Sequence, residues 1–353
     1  MGSRVHFATS HEGFHSEVRA GVDAYFSERA LSRHANWGAI AKIIFWLATV
    51  AGLYYGVVSG LLPGVFVLLL GFAIAEVGFN VGHDALHGAV SPHHWVNTVL
   101  GWTFDLFGGS SYAWNRAHNV LHHTYTNMPG VDRDIDSEPW MHFQAHPAVA
   151  RYYRWQYIYA FGYYTLTMLA WTYFKDFMQL STTDSTFKKR PTARGWLGVF
   201  AGKLAHLGLF VVAPLLLYAG PWWHVILGYI LMQMAVGFTL AVVFQLAHVV
   251  EGADFVDPHG KGERVESEWA VHQVATTVNF ATGNRLWNWL FGGLNFQVEH
   301  HLFPKISHVH YPALNKRLKQ VCAEFNVTYH EFPTLWSALR SHLVHLRRVG
   351  MAA

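Results

Sequence analysis

The sequence predicts an all-α integral membrane protein: four main transmembrane helices in two hairpins, with a cytoplasmic helical cap that holds a histidine-rich metal site. Three observations carry that prediction. Only 13% of the 353 residues are charged and 52% are hydrophobic, whereas an ordinary soluble domain carries about 25% charged residues. Two tracts, Ile43 to Ala75 and Leu204 to Val250, contain no Asp, Glu, Lys or Arg, and each is long enough for two crossings of about 20 residues. Histidines gather beside the ends of apolar stretches: His83 and His87 in HDALH, His118, His122 and His123 in HNVLHH, His300 and His301 in QVEHH, with His248 apart in QLAHVV.

The elements follow in order. Residues 1–38 form a cytoplasmic N-terminal segment, polar and without the apolar core of a cleavable signal peptide. The first span is expected over 40–60 and ends at the turn GLLPG; the second, 64–86, runs into HDALH. A short apolar run covers 96–107. The stretch 155–174 is rich in Tyr and Trp, which favour the headgroup level, so it is expected along the membrane interface, with a fifth or sixth crossing over these two runs as the alternative. The third and fourth spans, 199–219 and 222–248, are separated by Ala219-Gly220-Pro221. The membrane domain with its cap thus covers 39–314, and 315–353 is a cytoplasmic C-terminal tail.

Charge sets the topology. The turns near 61–63 and 219–221 hold no basic residue. Lys and Arg gather instead near the N-terminus (Arg19, Arg29, Arg33, Lys42), in KKRPTAR (188–194) and towards the C-terminus (Lys305, Lys316, Arg317, Lys319, Arg347, Arg348). The positive-inside rule then places both termini, the central loop and all three histidine boxes in the cytoplasm. The net charge of +3 comes from these flanks, with no basic stripe of the kind nucleic acid requires. Cys322 is the only cysteine, so a disulfide within the chain and a thiolate metal cluster are both excluded.

Histidines four apart on a helix share a face, so His83 with His87, and His118 with His122, can each offer two nitrogens to one metal. The adjacent pairs His122–His123 and His300–His301 diverge and can reach two different ions. Such a set points to a membrane-embedded two-metal enzyme that activates oxygen. It differs from the carboxylate-bridged site of ferritin-like bundles, which draws on Glu-x-x-His pairs; here that pattern occurs only at Glu12–His15. Asp84, Glu299, Asp132, Asp134 and Asp136 are placed to orient the rings by accepting N–H bonds.

The motifs HDALH, HNVLHHTYTNMPGVDRDID and GGLNFQVEHHLFPKISH resemble those of the membrane fatty-acid desaturases. Gln297, which opens the third box where most relatives carry histidine, resembles the front-end subgroup, which inserts a double bond between an existing one and the carboxyl end. The likeness runs from the basic N-terminal segment to about Leu314. It implies four spans with a cytoplasmic cap, two irons, and a reaction that uses O2 and two electrons to remove two hydrogens from a fatty acyl chain. The ligands it implies are His83, His87, His118, His122, His123, His300 and His301, with His248 as an isolated extra ligand. Gln297 is expected to be a weak ligand or to hold a water or a neighbouring ligand. Zinc could replace iron in overproduced protein, since imidazole suits both. Eukaryotic front-end members carry a fused cytochrome b5 with a His-Pro-Gly-Gly motif, absent here. The resemblance is therefore to the stand-alone bacterial type, in the inner membrane, with electrons from a separate ferredoxin or cytochrome b5.

Blander readings apply to other residues. His93, His94, His206, His224, His259, His272, His308 and His310 are read as structural. His11-Glu12-Gly13-Phe14-His15 fits the H-E-x-x-H pattern of zinc proteases, but it lies in a polar stretch with Gly inside it and no apolar helix around it. Two rival functions remain: an acyl hydroxylase on the same scaffold, separated by product mass, and a non-catalytic membrane metal carrier. The carrier would place its ligands along a path through the spans, not at one membrane face.

Overall fold

The computed structural model describes residues 5–8, 13–137, 139–144, 150–181, 190–257 and 264–352. Its framework is helical. The only strands among the described residues are two short parallel pairs: β1 (His6–Phe7) with β2 (Arg264–Val265), and β3 (Asn279–Phe280) with β4 (Glu331–Phe332).

An amphipathic helix, α1 (Phe14–Glu28), precedes the first span. Among the described residues, four helices are long and apolar enough to cross a membrane: α2 (Trp37–Val58), α3 (Gly64–Leu86), α7 (Ala193–Leu217) and α8 (Trp222–His248). Between the hairpins lie α4 (His94–Leu106), α5 over 111–125 and α6 over 156–181. The predicted four-span architecture is thus present, with the first span shifted from 40–60 to Trp37–Val58 and the third moved furthest. The third span starts at Ala193 instead of 199, because Thr192 caps it by accepting from the Gly195 amide. Its buried Lys203 is neutralised by Asp176 at 2.5 Å, so that charge does not end the helix. Asn36 caps the first span in the same way, accepting from the Ala39 amide.

Large apolar side chains such as Ile44, Leu204 and Leu216 remain exposed on these helices, as befits surfaces that meet lipid tails. Inward faces pack closely. A Cβ on Gly71 would lie 2.4 Å from the Met232 carbonyl oxygen, and one on Gly237 would lie 2.8 Å from the Met168 amide nitrogen. These small residues let α3 and α6 approach α8. The aromatic run at 155–174, expected along the membrane interface, instead lies in α6, which runs beside α8, held there by Thr167 on the Gly237 carbonyl and by Tyr173 on the Tyr229 hydroxyl.

In hairpin order α3 and α8 both end on the same face of the bundle, and there the cap begins. Its helices are α9 (Trp269–Ala275), α10 (Arg285–Leu290), α11 (Gln297–Leu302), α12 (Tyr311–Glu324) and α13 (Leu335–Met351). A core of Phe14, Val18, Val274, Val298, Leu318 and Val321 joins α1, α9, α11 and α12 into one layer over the span ends. α13 lies against α6.

Candidate metal centre

Both box-bearing helices widen where the histidines stand. α3 passes through a π turn at Gly78–His83, and α5 through another at Asn115–His122. Such turns are frequent at functional sites, although two others, Trp171–Lys175 and Gly208–Val212, lie away from the histidines; periodicity alone does not reveal them. The third box sits on α11, a short helix buried along its whole length.

These helices bring eight histidines together. The ligand nitrogens of His83, His87, His118 and His300 lie within 4.8 Å of one another, as do those of His122, His248 and His301, and those of His123, His300 and His301. His123 stands between the first two groups. Its ring centroid is 4.4 Å from that of His301, 4.7 Å from His300, and 4.8 Å from both His87 and His118. Trp114 stacks on His118 at 4.3 Å.

The donors fit metal ions. His83 Nδ1, His87 Nε2, His122 Nε2, His123 Nδ1, His248 Nδ1, His300 Nε2 and His301 Nε2 are buried with no hydrogen-bond partner, and His118 Nε2 faces His123 Nε2 at 3.2 Å. An orphaned buried polar atom costs about 1–3 kcal/mol. Seven of them rival the whole stability of a domain, about 5–15 kcal/mol. Converging imidazole lone pairs are what a borderline transition metal binds.

Opposite ring nitrogens are held from outside. Asp134 Oδ2 lies 2.8 Å from His118 Nδ1, and Asp132 Oδ2 lies 2.8 Å from His122 Nδ1. Gln273 Oε1 accepts from His301 Nδ1 at 2.9 Å, and the Tyr311 hydroxyl is 3.3 Å from His300 Nδ1. Gln297 Nε2 lies 2.8 Å from His248 Nε2, with its own Oε1 buried and unpartnered. Asn127 is the hub of this layer. Its left-handed backbone (φ 54°), tolerable for asparagine, lets its amide donate to Asp132 and its side chain donate to the carbonyls of His248, Asp254 and Thr276.

Burial sets the protonation. It lowers His118 to about 3 despite Asp134, and it holds His123, His300 and His301 well below the ordinary imidazole value, helped by their mutual repulsion. Neutral imidazole is the form that ligates. His122 is the exception: burial pulls it down, but the charge and hydrogen bond of Asp132 outweigh burial and raise it.

The other predicted acids lie elsewhere. Asp84 accepts from His308 Nδ1 at 2.8 Å and from Ser307, and its other oxygen is 3.8 Å from His83 Nδ1. Glu299 is buried under bonds from Asn279, Asn315 and Tyr329, and tethers α11 to the cap. Asp136 is exposed at the loop surface.

Histidines read as structural behave in several ways. His206 bonds Leu106 O and the Tyr229 hydroxyl, and His310 packs on Phe26. His308 does more: it joins Asp84 to the buried Lys42 of the first span, 3.4 Å away. His259 lies outside the described residues, as do His11 and Glu12 of the protease-like motif; His15 of that motif is exposed. Sequence reasoning missed Asn127, Gln273, Tyr311 and Trp114. Asn127 carried a signal, a turn residue two before a proline; Gln273 carried none.

The fatty acid desaturase family model matches residues 59–333. An sn-1 linoleoyl-lipid 6-desaturase of Synechocystis sp. is 37% identical, covering 99% of this chain and 99% of its own length. A protein of the same description from Arthrospira platensis is 34% identical, over 99% of this chain and 95% of its own. An acyl-lipid (8-3)-desaturase of Physcomitrium patens is 34% identical over 96% of this chain but only 72% of its own.

Proposed function

Because the chain belongs to the fatty acid desaturase family, as a membrane-bound oxidoreductase of front-end type, we propose that it inserts a double bond at carbon 6 of an 18-carbon diene esterified in a glycerolipid. The observation that carries this reading is Gln297. It heads the third box in hydrogen-bond contact with His248, in a chain alike over nearly its full length to cyanobacterial linoleoyl-lipid 6-desaturases.

In this reading His83, His87, His118 and His300 hold one iron, and His122, His248 and His301 hold the other, with His123 between them. When bound, the irons supply oxygen activation and removal of two hydrogens from the acyl chain. The protein's own part is order and dryness. Asp132, Asp134, Gln273 and Tyr311 keep the rings turned inward, which typically changes metal affinity about 10–100-fold. Trp114, Phe244 and the apolar span ends around the imidazoles exclude water. Gln297 holds His248, or a water beside it, and does not bond strongly to metal. Zinc could occupy the same nitrogens in overproduced protein.

The functional unit is 39–314, with 1–38 and 315–353 as cytoplasmic flanks. The asymmetry of Lys and Arg supports a cytoplasmic cap in the inner membrane of a bacterium. A separate ferredoxin or cytochrome b5 supplies the electrons.

The test is expression in a host supplied with linoleic acid, followed by gas chromatography–mass spectrometry of the lipids. The expected product has lost two hydrogens and carries its new double bond at carbon 6. A bond placed towards the methyl end overturns the positional reading, and a gain of one oxygen overturns desaturation.

A further inference from the structure

We infer that Trp269 is the point at which electrons enter the metal centre, an inference that rests on the desaturase reading above. The ligating rings are buried, so a protein donor cannot touch them and electrons must tunnel through the cap. Tunnelling weakens steeply with distance and passes more readily through covalent and hydrogen bonds than across van der Waals gaps. Trp269 opens α9 and is half-buried, with one edge against the exposed ring of His15 at 5.4 Å. The His15 amide donates to Glu268 at 3.0 Å, which holds α1 beside this corner. On its inner side the indole Nε1–H donates to the His123 carbonyl oxygen at 3.1 Å. His123 is the imidazole that lies between the two groups of ligands. One side chain therefore links the cap surface, through one hydrogen bond and the covalent frame of His123, to both metal positions. Trp114, Tyr311 and Phe244 also lie beside ligands, but Trp114 and Tyr311 are buried and Phe244 has no hydrogen-bonding group to bridge with.

Each encounter moves one electron. The donor, a small one-electron iron–sulfur or haem protein, is oxidised by one, and one ferric ion becomes ferrous. Two encounters supply the two electrons that join two protons and the two hydrogens leaving the acyl chain in reducing O2 to two waters. The indole bridges and need not itself be oxidised.

The experiment compares iron-loaded full-length wild type, Trp269→Phe and Trp269→Leu in detergent, with Trp336→Phe, an exposed tryptophan at the start of α13, as the control. Stopped-flow spectroscopy follows reduction of the ferric centre by reduced ferredoxin and, separately, by dithionite with methyl viologen; iron content is measured on the same samples. Trp269→Phe keeps a ring but loses the N–H bridge, so reduction by ferredoxin should slow about tenfold while reduction by viologen and iron content stay unchanged. Trp269→Leu should be slower still with ferredoxin, and Trp336→Phe unaltered. Equal slowing with both reductants, or loss of iron, makes Trp269 a packing residue and overturns the inference. So does an unchanged ferredoxin rate. Failure of the desaturase reading is seen separately, as wild type that is reduced normally yet yields no unsaturated product.

Discussion

Two imidazole–carboxylate pairs of the same length sit in two of the histidine groups and behave oppositely. His118–Asp134 and His122–Asp132 both measure 2.8 Å. Yet His118 is driven down to about 3, while His122 is raised above its ordinary value. The difference lies in the charges around each ring. Asp134 also accepts from Lys175 at 3.1 Å, so its charge is divided between an ammonium and an imidazole. Asp132 is fully buried, is bonded also by the amides of Asn127 and Asp134, and raises His122 together with Asp134, whereas His118 is pushed down by burial and by the neighbouring imidazoles of His122 and His83. A hydrogen bond's length says little about the charges around it, and the imidazole that two carboxylates reach is the one whose charged form is favoured.

The largest effects should come from the ligands themselves. His87→Ala and His122→Ala each remove one ring from a different group, and each should abolish desaturation and lower metal content while leaving the protein folded in detergent. His248→Ala should match His122→Ala. Normal product from His248→Ala, measured beside an inactive His122→Ala, would take His248 out of the ligand set.

The carboxylates test the comparison itself. Asp132→Asn should weaken metal binding by about 100-fold and Asp134→Asn by about 10-fold, the two ends of the usual range for such partners, as measured by competition with a chromophoric chelator. If Asp134→Asn proves the costlier, the shared charge on Asp134 is not what distinguishes the pairs. Gln297→Ala should lose most of the activity, about tenfold, with metal content less affected than in His248→Ala; unchanged turnover would mean that the Gln297–His248 contact is incidental.

Acid should separate the two positions. Metal and proton compete for the same imidazoles. Metal-free His122 keeps its proton up to a higher pH than an ordinary imidazole, so affinity at its position is full only above that raised value and falls as pH drops through it. His118 takes a proton only near 3, so its group should hold metal to lower pH. Release followed from pH 8 downwards should therefore occur in two steps, the His122 group emptying first, and a single step would contradict the distinction. The smallest effect belongs to Asp136→Asn, an exposed change that should leave metal content and turnover within error.

Much of this was legible in the chain. Charge-free tracts broken by GLLPG and AGP mark the spans, because crossing a bilayer demands some 20 apolar residues in a row and nothing from elsewhere in the fold. The boxes mark the candidate metal ligands in the same local way, since two histidines four apart meet on one helix face wherever that helix lies. Asp132 and Asp134 were readable as ring partners from their place soon after the second box.

Tertiary structure decided the rest. It set His300 beside His83, His87 and His118, and its neighbour His301 beside His122 and His248, a sorting that depends on how α11 enters between the ends of α3, α5 and α8. It turned Asp84 towards His308 and Glu299 towards Asn279, Asn315 and Tyr329, although both stand next to histidines in sequence. It also recruited Gln273 to His301 across a separation of 28 residues. The physical reason is reach. Hydropathy and helical spacing act over a few residues and are written in the chain, whereas the partner of a buried polar atom is whichever group packing brings within about 3 Å.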